Sequence, residues 1–218
     1  MRVLVFARAP RRGGVRRALE PLLGVDGALR AHAALLMEAI DWARDLAPEA
    51  LYVAYEPADA GPEIRALVGD DIIAFPQVGD GIAGRFRHAA GRVFEDHAGP
   101  VLALWPDVVS LARHHGTAAL ADLAAGADVV LGPAFDGGFY LIGLARPLPR
   151  LFGLDESAWR GTGAVGMAMA AALQSGPAPL EVGILRVERA LHRPADVRAA
   201  LADPLLSERF RRVLSTVG

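Results

Sequence analysis

The sequence contains neither cysteine nor lysine, and these two absences remove several kinds of chemistry. Without cysteine the chain has no disulfide bond, no thiolate nucleophile, no iron–sulfur cluster and no cysteine-ligated zinc site. Without lysine it cannot form a Schiff base with a substrate, and it lacks the lysine of a Walker A phosphate-binding loop. Any catalysis therefore depends on Asp, Glu, His, Arg and hydroxyl side chains.

The chain also has little net charge and no long hydrophobic run. A formal charge of −2 over 218 residues gives no electrostatic basis for binding nucleic acid or an anionic membrane. The apolar stretch at residues 3–7 is too short for a signal peptide or a membrane span. We therefore expect a cytoplasmic protein with a small-molecule partner and no membrane span, and the sequence leaves open whether it forms an oligomer.

Short apolar runs alternate with longer segments of helical period, which predicts an α/β fold with a mostly parallel sheet. No shift in composition divides the chain, so residues 1–218 are predicted to form a single domain. Helices are predicted over residues 27–46, 163–173 and 194–201. Strands are predicted over residues 2–7, 50–55, 72–75, 100–104, 128–131, 139–144 and 180–187. The strands at 128–131 and 139–144 have no room between them for a crossover helix, which favours an antiparallel excursion in the second half.

The loop after the first predicted strand carries several arginines around a pair of glycines. In an open α/β sheet, ligands bind at the carboxyl ends of strands, where glycines let backbone amides approach a pyrophosphate and guanidinium groups neutralise its charge. The alternative is a solvated basic loop, but the position after strand one favours the anion site. The candidate residues of this loop are Arg8, Pro10, Arg11, Gly13, Gly14 and Arg16.

Two aspartates are candidates for the chemistry of the site. Asp107 follows a buried strand directly, where its carboxylate could hold a divalent cation between phosphate oxygens or could cap a helix. Asp136 precedes two glycines, so it could be presented to a substrate between aromatic walls or could belong to a hairpin turn. The pair His114 and His115 is interpreted as a solvated pair at the start of a helix.

Several segments in order along nearly the whole chain resemble one family. The most specific segment is residues 132–144, in which Asp136, Gly137 and Gly138 are followed by Phe139 and Tyr140. The others are residues 6–11, the pair Pro76 and Gln77, and the strand that ends at Asp107. Together they resemble a bacterial glycosyltransferase-A-like group of nucleotide-diphospho-sugar transferases, of the radical-SAM/selenodomain-associated type. The chain is more distantly similar to molybdenum-cofactor and phospholactate guanylyltransferases.

The resemblance implies a three-layer GT-A-like fold and a nucleotide-dependent transferase. The resemblance does not fix the reaction, and our leading hypothesis is glycosyl transfer from a nucleoside diphosphate sugar to a small acceptor, assisted by Mg²⁺ or Mn²⁺. Asp107 would hold the cation, and Asp136 would orient or deprotonate the acceptor hydroxyl. Arginines of the first loop would hold the phosphates. The substrate-binding residues it implies are Arg8, Pro10, Arg11, Gly13, Gly14, Arg16, Gln77, Arg85, Gly137, Gly138 and Phe139.

The chain departs from the family pattern in four segments, one of which is residues 80–85, where only Arg85 keeps its role in the pattern. The family sequence Lys-Thr-Arg-Leu is replaced here by the segment from Arg16 to Leu19. Small residues before Asp107 are replaced by Trp105 and Pro106. A late carboxylate is replaced by His192, an imidazole that suits Mn²⁺ better than Mg²⁺.

Two further hypotheses follow from these features. One is nucleotidyl transfer, in which an acceptor attacks a nucleoside triphosphate and pyrophosphate leaves. The other is a catalytically degenerate nucleotide-binding or regulatory protein on the same fold, because a fold does not fix a function.

Overall fold

The computed structural model describes residues 1–152, 159, 173–175, 178–204 and 206–215, and a sheet of seven strands lies at its centre. The strand order is β3-β2-β1-β4-β6-β5-β7, and β6 runs antiparallel to β4 and β5 while the other neighbours are parallel. This confirms the predicted α/β class and its antiparallel excursion. The strands are β1 (Arg2–Arg8), β2 (Ala50–Glu56), β3 (Ile73–Pro76), β4 (Val101–Leu104), β5 (Val129–Pro133), β6 (Phe139–Leu144) and β7 (Val182–Ile184).

Strand β7 is shorter than the predicted run of residues 180–187. Beyond Ile184 the chain stays beside β5, because the amide of Leu185 donates to the Leu131 carbonyl at 2.8 Å and that of Glu188 donates to Pro133 at 3.0 Å. On its other side β5 pairs with β6, and that pairing shifts register between Gly132 and Pro133. The predicted run therefore does lie along the sheet, but only its centre is a regular strand.

Helices flank the sheet, and their bounds test the helical predictions. The prediction at residues 194–201 is confirmed, whereas α1 begins seven residues before the predicted start and contains a non-helical Gly24 with φ of 68°. The predicted helix at 163–173 lies outside the described residues except for Leu173. The helices are α1 (Glu20–Asp45), α2 (Gly61–Val68), α3 (Gly81–Asp96), α4 (Arg113–Ala124), α5 (Pro149–Phe152), α6 (Pro194–Leu201) and α7 (Glu208–Ser215).

Successive side chains along each strand point to opposite faces of the sheet, and helices cover both faces, so the fold has three layers. In β1, Val3 and Val5 face the core shared with α1, α2 and α4, whereas Leu4 and Phe6 face the core shared with α3. Both sets are buried because helices cover both faces of the sheet, as expected for parallel strands that are apolar throughout. A third cluster packs α6 and α7 against the outer part of α1.

This layered arrangement places the ends of the parallel strands at one edge. Because β1, β2, β3 and β4 run in the same direction, their last residues and the loops that follow them meet there. None of the described helices combines the length and the apolar character that crossing a membrane requires.

Two helical glycines provide a matched test of the packing. A Cβ at Gly116 in α4 would lie 2.5 Å from Leu46 Cδ1 and 2.9 Å from Trp42 Cζ2, and Trp42 is fixed by a hydrogen bond from its indole to Ala112. We expect Gly116→Ala to lower the free energy of unfolding by about 1–3 kcal/mol because the core is overpacked. At Gly91 in α3 a Cβ would meet no heavy atom within 4 Å.

Gly91→Ala should therefore raise stability by about 0.5–1 kcal/mol, since alanine costs less backbone entropy in a helix. Urea denaturation of both variants measures the two changes. Equal effects of the two substitutions would contradict the packing of α4 against α1.

Candidate functional site

A cavity of about 490 Å³ lies at the edge of the sheet where the parallel strands end. The end of β1 lines it with Arg8, that of β2 with Glu56, and the segments after β3 and β4 with Gln77 and Asp107. Its volume suits a small-molecule ligand. The sequence prediction of a site at this edge thus corresponds to a cavity in the structure.

The lining of the cavity carries an excess of positive charge. Among the residues that the structure describes, four arginines and two carboxylates line it, which gives a net charge of +2 before the histidines are counted. A concave surface with this balance attracts anions. The charged residues are Arg8, Arg16, Arg17, Arg85, Glu56 and Asp107.

Arg16 is the most enclosed of these arginines, with a side chain only 7% exposed. One terminal nitrogen donates to the Leu191 carbonyl at 2.9 Å and lies 3.2 Å from Nδ1 of His192. The other donates to the Pro106 carbonyl at 3.0 Å and forms an ion pair with Asp107. The two terminal nitrogens thus contact three oxygen atoms and one ring nitrogen of the protein. These contacts hold the charge of Arg16 in place beside the cavity.

The backbone at Arg16 explains how its side chain reaches these partners. Arg16 has φ of 50° and ψ of 34°, a left-handed conformation that is uncommon for a residue with a Cβ. Its carbonyl accepts a bond from the amide of Leu19 at 2.8 Å, which fixes the turn into a short 3-10 helix. A strained backbone of this kind is kept where the surrounding contacts determine it.

Asp107 is ionised in this environment. Burial acts against its charge, but the neighbouring Arg16 and His192 outweigh that effect and hold the pKa of the carboxyl below its usual value. Its backbone carbonyl also accepts a bond from the amide of Leu191 at 2.8 Å. Asp107 therefore ties the end of β4 to the segment before α6.

His192 joins Asp107 and Arg16 to the second predicted carboxylate. Its Nε2 lies 3.0 Å from Oδ2 of Asp136 and 4.0 Å from Oδ2 of Asp107. The hydrogen bond with Asp136 raises the pKa of His192, and the same bond keeps the pKa of Asp136 low. The structure thus arranges Asp107, Arg16, His192 and Asp136 as one hydrogen-bonded and ionic chain, which we call the charge chain.

The turn after β5 fixes the position of Asp136. The amide of Gly138 donates to Oδ1 of Asp136 at 3.1 Å, and Gly137 has φ of 94°, which favours glycine. Asp136 belongs to a tight turn, and its carboxylate also contacts His192, which lines the cavity. The neighbouring Phe135 is 63% exposed, and Phe139 begins β6.

A second group of charges surrounds Glu56, which the sequence analysis did not select. Arg8 donates to one carboxylate oxygen at 2.6 and 2.8 Å, and Arg85 donates to the other at 2.8 Å. Glu56 therefore holds two arginines side by side at the cavity. Its place at the end of β2 was the available signal, because that strand ends at the same edge as β1.

The rest of the first loop lies apart from the main cavity. Arg11 is bound by Asp59 and Glu63 and, with Gly14, lines a smaller neighbouring cavity of about 290 Å³. Pro10 and Gly13 line neither of these two cavities. The structure therefore brings Arg8 and Arg16 to the main cavity and directs Arg11 to acidic partners.

Gln77 and His32 complete the polar lining of the main cavity. The Gln77 amide donates to the carbonyls of Ala54 and Ala7 at 2.9 and 3.2 Å, which fixes its side chain between β2 and β1. His32 comes from α1 and lies 2.8 Å from the Arg8 carbonyl, and burial lowers the pKa of its imidazole. The helical pattern gave no signal for His32, because its partner is a backbone carbonyl of β1.

The interpretation of the histidine pair is wrong for His115, which is 2% exposed. Its Nε2 lies 3.0 Å from Glu188, which also binds Arg186 and Ser110. Burial acts against the charge of Glu188, but these three partners bring its pKa to about 2. Sequence spacing could not reveal this contact because the two residues are 73 positions apart.

The donor set does not fit a divalent cation held by Asp107 and His192. Arg16 is bound to Asp107, and Nε2 of His192 is directed at Asp136. Within the part of the chain that the structure describes, no group of three or more His, Asp or Glu side chains is arranged to hold a metal ion. A cation would have to displace a guanidinium held by four partners.

The charge chain can be tested by titration. We expect His192 to titrate above the ordinary imidazole value of about 6.5, because Asp136 stabilises the protonated ring. Asp136→Asn removes that charge and should lower the pKa of His192. NMR of the imidazole protons as a function of pH measures both values, with the exposed Asp59→Asn as a control. An identical His192 titration in the wild type and Asp136→Asn would contradict the contact.

The fold is similar to that of several solved structures. A candidate nucleotide-diphospho-sugar transferase from Desulfovibrio desulfuricans G20 is 23% identical, with a TM-score of 0.80 over 99% of this chain and 97% of that chain. A cytidylyltransferase from Leptospira borgpetersenii serovar Hardjo-bovis (strain JB197) is 12% identical, with a TM-score of 0.58 over 99% and 92%. The inositol-1-phosphate CTP transferase from T. maritima is 14% identical, with a TM-score of 0.52 over 99% and 95%.

These similarities show a shared fold. No curated protein matches this chain in sequence. Residues 36–159, more than half of the chain, match the family described as "Uncharacterized protein conserved in bacteria (DUF2064)". The chain belongs to that family.

Proposed function

We propose that this protein is a nucleotide-dependent transferase that moves a glycosyl group from a nucleoside diphosphate sugar to a hydroxyl of a small acceptor. The observation that carries the proposal is a cavity with a net positive lining at the carboxyl edge of the parallel strands, joined through His192 to the ionised Asp136. An anion-binding cavity beside a fixed carboxylate suits a substrate that has a phosphorylated leaving group and a hydroxyl partner.

The phosphates of the donor would bind Arg8 and Arg85. Each guanidinium has five N–H donors, and among the described contacts Arg8 directs two of them to Glu56. Arg85 directs one to Glu56 and one to the Gly81 carbonyl. The remaining donors can bind phosphate oxygens in the fork geometry that arginine favours.

The same arginines would assist the departure of the nucleoside diphosphate. Negative charge grows on the leaving oxygen as its bond to the sugar breaks, and fixed positive groups stabilise that charge more in the transition state than in the substrate. Arg16 contributes to this field without touching the phosphates, because its terminal N–H groups stay on their protein partners.

Asp136 would act on the acceptor. Its low pKa keeps it ionised, so it can accept a hydrogen bond from the acceptor hydroxyl and orient the oxygen towards the sugar. The new carbon–oxygen bond forms as the bond to the phosphate oxygen breaks, and the hydroxyl proton passes to the carboxylate. No covalent intermediate is needed. His192 holds Asp136 in position through its Nε2 contact.

The fold similarities support this proposal and also a second candidate, nucleotidyl transfer. The Desulfovibrio neighbour is described as a nucleotide-diphospho-sugar transferase, whereas the Leptospira and T. maritima neighbours are a cytidylyltransferase and a CTP transferase. In the second reaction an acceptor oxygen would attack the α-phosphate of a nucleoside triphosphate and pyrophosphate would leave. Asp136, whose ionised carboxylate could act on an acceptor hydroxyl, supports the glycosyl reaction as the first candidate.

The leaving group distinguishes the two reactions. The purified protein is incubated with uridine, guanosine, cytidine and thymidine diphosphate sugars, or with the four triphosphates, and a panel of small hydroxyl acceptors. We expect release of a nucleoside diphosphate and no pyrophosphate. Asp136→Asn should lower kcat about 10²- to 10⁴-fold while leaving nucleotide affinity within about twofold, since it removes the base and leaves the phosphate site.

Asp45→Asn, at an exposed carboxylate near the end of α1, is the control and should retain full activity. Pyrophosphate release from a triphosphate would establish the second candidate instead. A protein that binds none of these nucleotides would exclude both reactions.

A further inference from the structure

We infer that Arg16 is the built-in cation of this site, so that the protein binds nucleoside diphosphates as free anions rather than as complexes with a divalent metal ion. The inference rests on the proposed function, because it concerns the same cavity and the same class of ligand. Arg16 would take the place that a metal ion would occupy beside Asp107. The carboxylate of Asp107 would be the counter-ion of Arg16.

Arg16 is enclosed by the protein. Its side chain is 93% buried, and its partners come from two separate parts of the chain: Pro106 and Asp107 after β4, and Leu191 and His192 before α6. Two of these partners are backbone carbonyls, which cannot rotate away as side chains do. Moving the guanidinium would leave these acceptors unpaired, which is unfavourable for each one that is buried.

The carboxylate of Asp107 already has positive groups beside it. A cation binds a carboxylate that offers it free oxygens and a negative local potential. Asp107 offers one oxygen to Arg16, and its other oxygen lies 4.0 Å from the imidazole of His192. The positive groups that hold the pKa of Asp107 low also repel a second cation.

The charge of the cavity also opposes a cation. The described residues of its lining already carry a net charge of +2, so a divalent cation would raise the local charge further before any ligand arrives. A diphosphate brings negative charge into this surface directly. Arg8 and Arg85, fixed by Glu56, supply the hydrogen bonds, and the buried Arg16 supplies the field.

Cation dependence of binding is the direct test. The Kd values of uridine, guanosine, cytidine and thymidine diphosphates are measured by calorimetry in 1 mM EDTA and again with Mn²⁺ or Mg²⁺. For any nucleotide that binds, we expect the Kd in EDTA and with cation to agree within about twofold. Binding of Mn²⁺ to the protein alone, measured by electron paramagnetic resonance, should be no stronger in the wild type than in Asp107→Asn.

The variant Arg16→Gln tests whether Arg16 acts as the cation of the site or is only a structural contact. Removing the guanidinium exposes Asp107, so this variant should gain Mn²⁺ binding that the wild type lacks. Its nucleotide affinity in EDTA should fall at least tenfold and recover in part with Mn²⁺. Arg16→Lys keeps the charge and should show a smaller loss, which guards against misfolding of the glutamine variant. Arg12→Gln removes an exposed arginine paired with Asp26 and is the matched control.

Three results would overturn the inference. Nucleotide affinity that rises tenfold or more with Mn²⁺ in the wild type would show that the metal is part of the site. Tight Mn²⁺ binding by the wild type that Asp107→Asn abolishes would show the same. If the protein binds no nucleotide under any of these conditions, the proposed function and this inference both fail. Cation-dependent binding, by contrast, overturns the inference alone.

Discussion

The ion pair between Arg16 and Asp107 is the interaction on which the site depends. A buried guanidinium is stable only when its charge and its N–H groups are matched, and here the matching groups come from the end of β4 and from the segment before α6. Arg16 therefore joins parts of the chain up to 175 positions apart. Because His192 also contacts Asp136, the position of the second carboxylate depends on the same pair.

The sheet determines where this pair can form. Parallel strands end at one edge, so the segments after β1, β2, β3 and β4 converge without any special sequence in the strands themselves. Glu56 adds a second anchor by holding Arg8 and Arg85 together. Three of the cavity's arginines thus differ in kind: Arg16 is buried and provides a field, whereas Arg8 and Arg85 are partly exposed and have the N–H groups that we propose to bind phosphate.

Sequence patterns predicted the parts of this arrangement that depend on local periodicity and strand direction. Apolar runs located the strands, and the short connection before Phe139 predicted the antiparallel β6. The strand ends pointed to Arg8 and Asp107, whereas Gln77 came from the family resemblance. The patterns could not predict which acceptors Arg16 would bind, because those lie far along the chain and depend on a left-handed backbone at Arg16 itself. For the same reason the sequence did not predict the burial of His115 against Glu188. The sequence pattern also did not distinguish Arg16 from Arg11, which binds acidic partners instead.

A crystal structure of the protein grown with a bound nucleoside diphosphate and excess Mn²⁺ tests this account most directly. The account predicts that the Arg16 to Asp107 pair persists, that the phosphates lie against Arg8 and Arg85, and that no anomalous manganese signal is found beside Asp107. A manganese ion between Asp107 and the phosphates, with Arg16 displaced from its carbonyl partners, would contradict it.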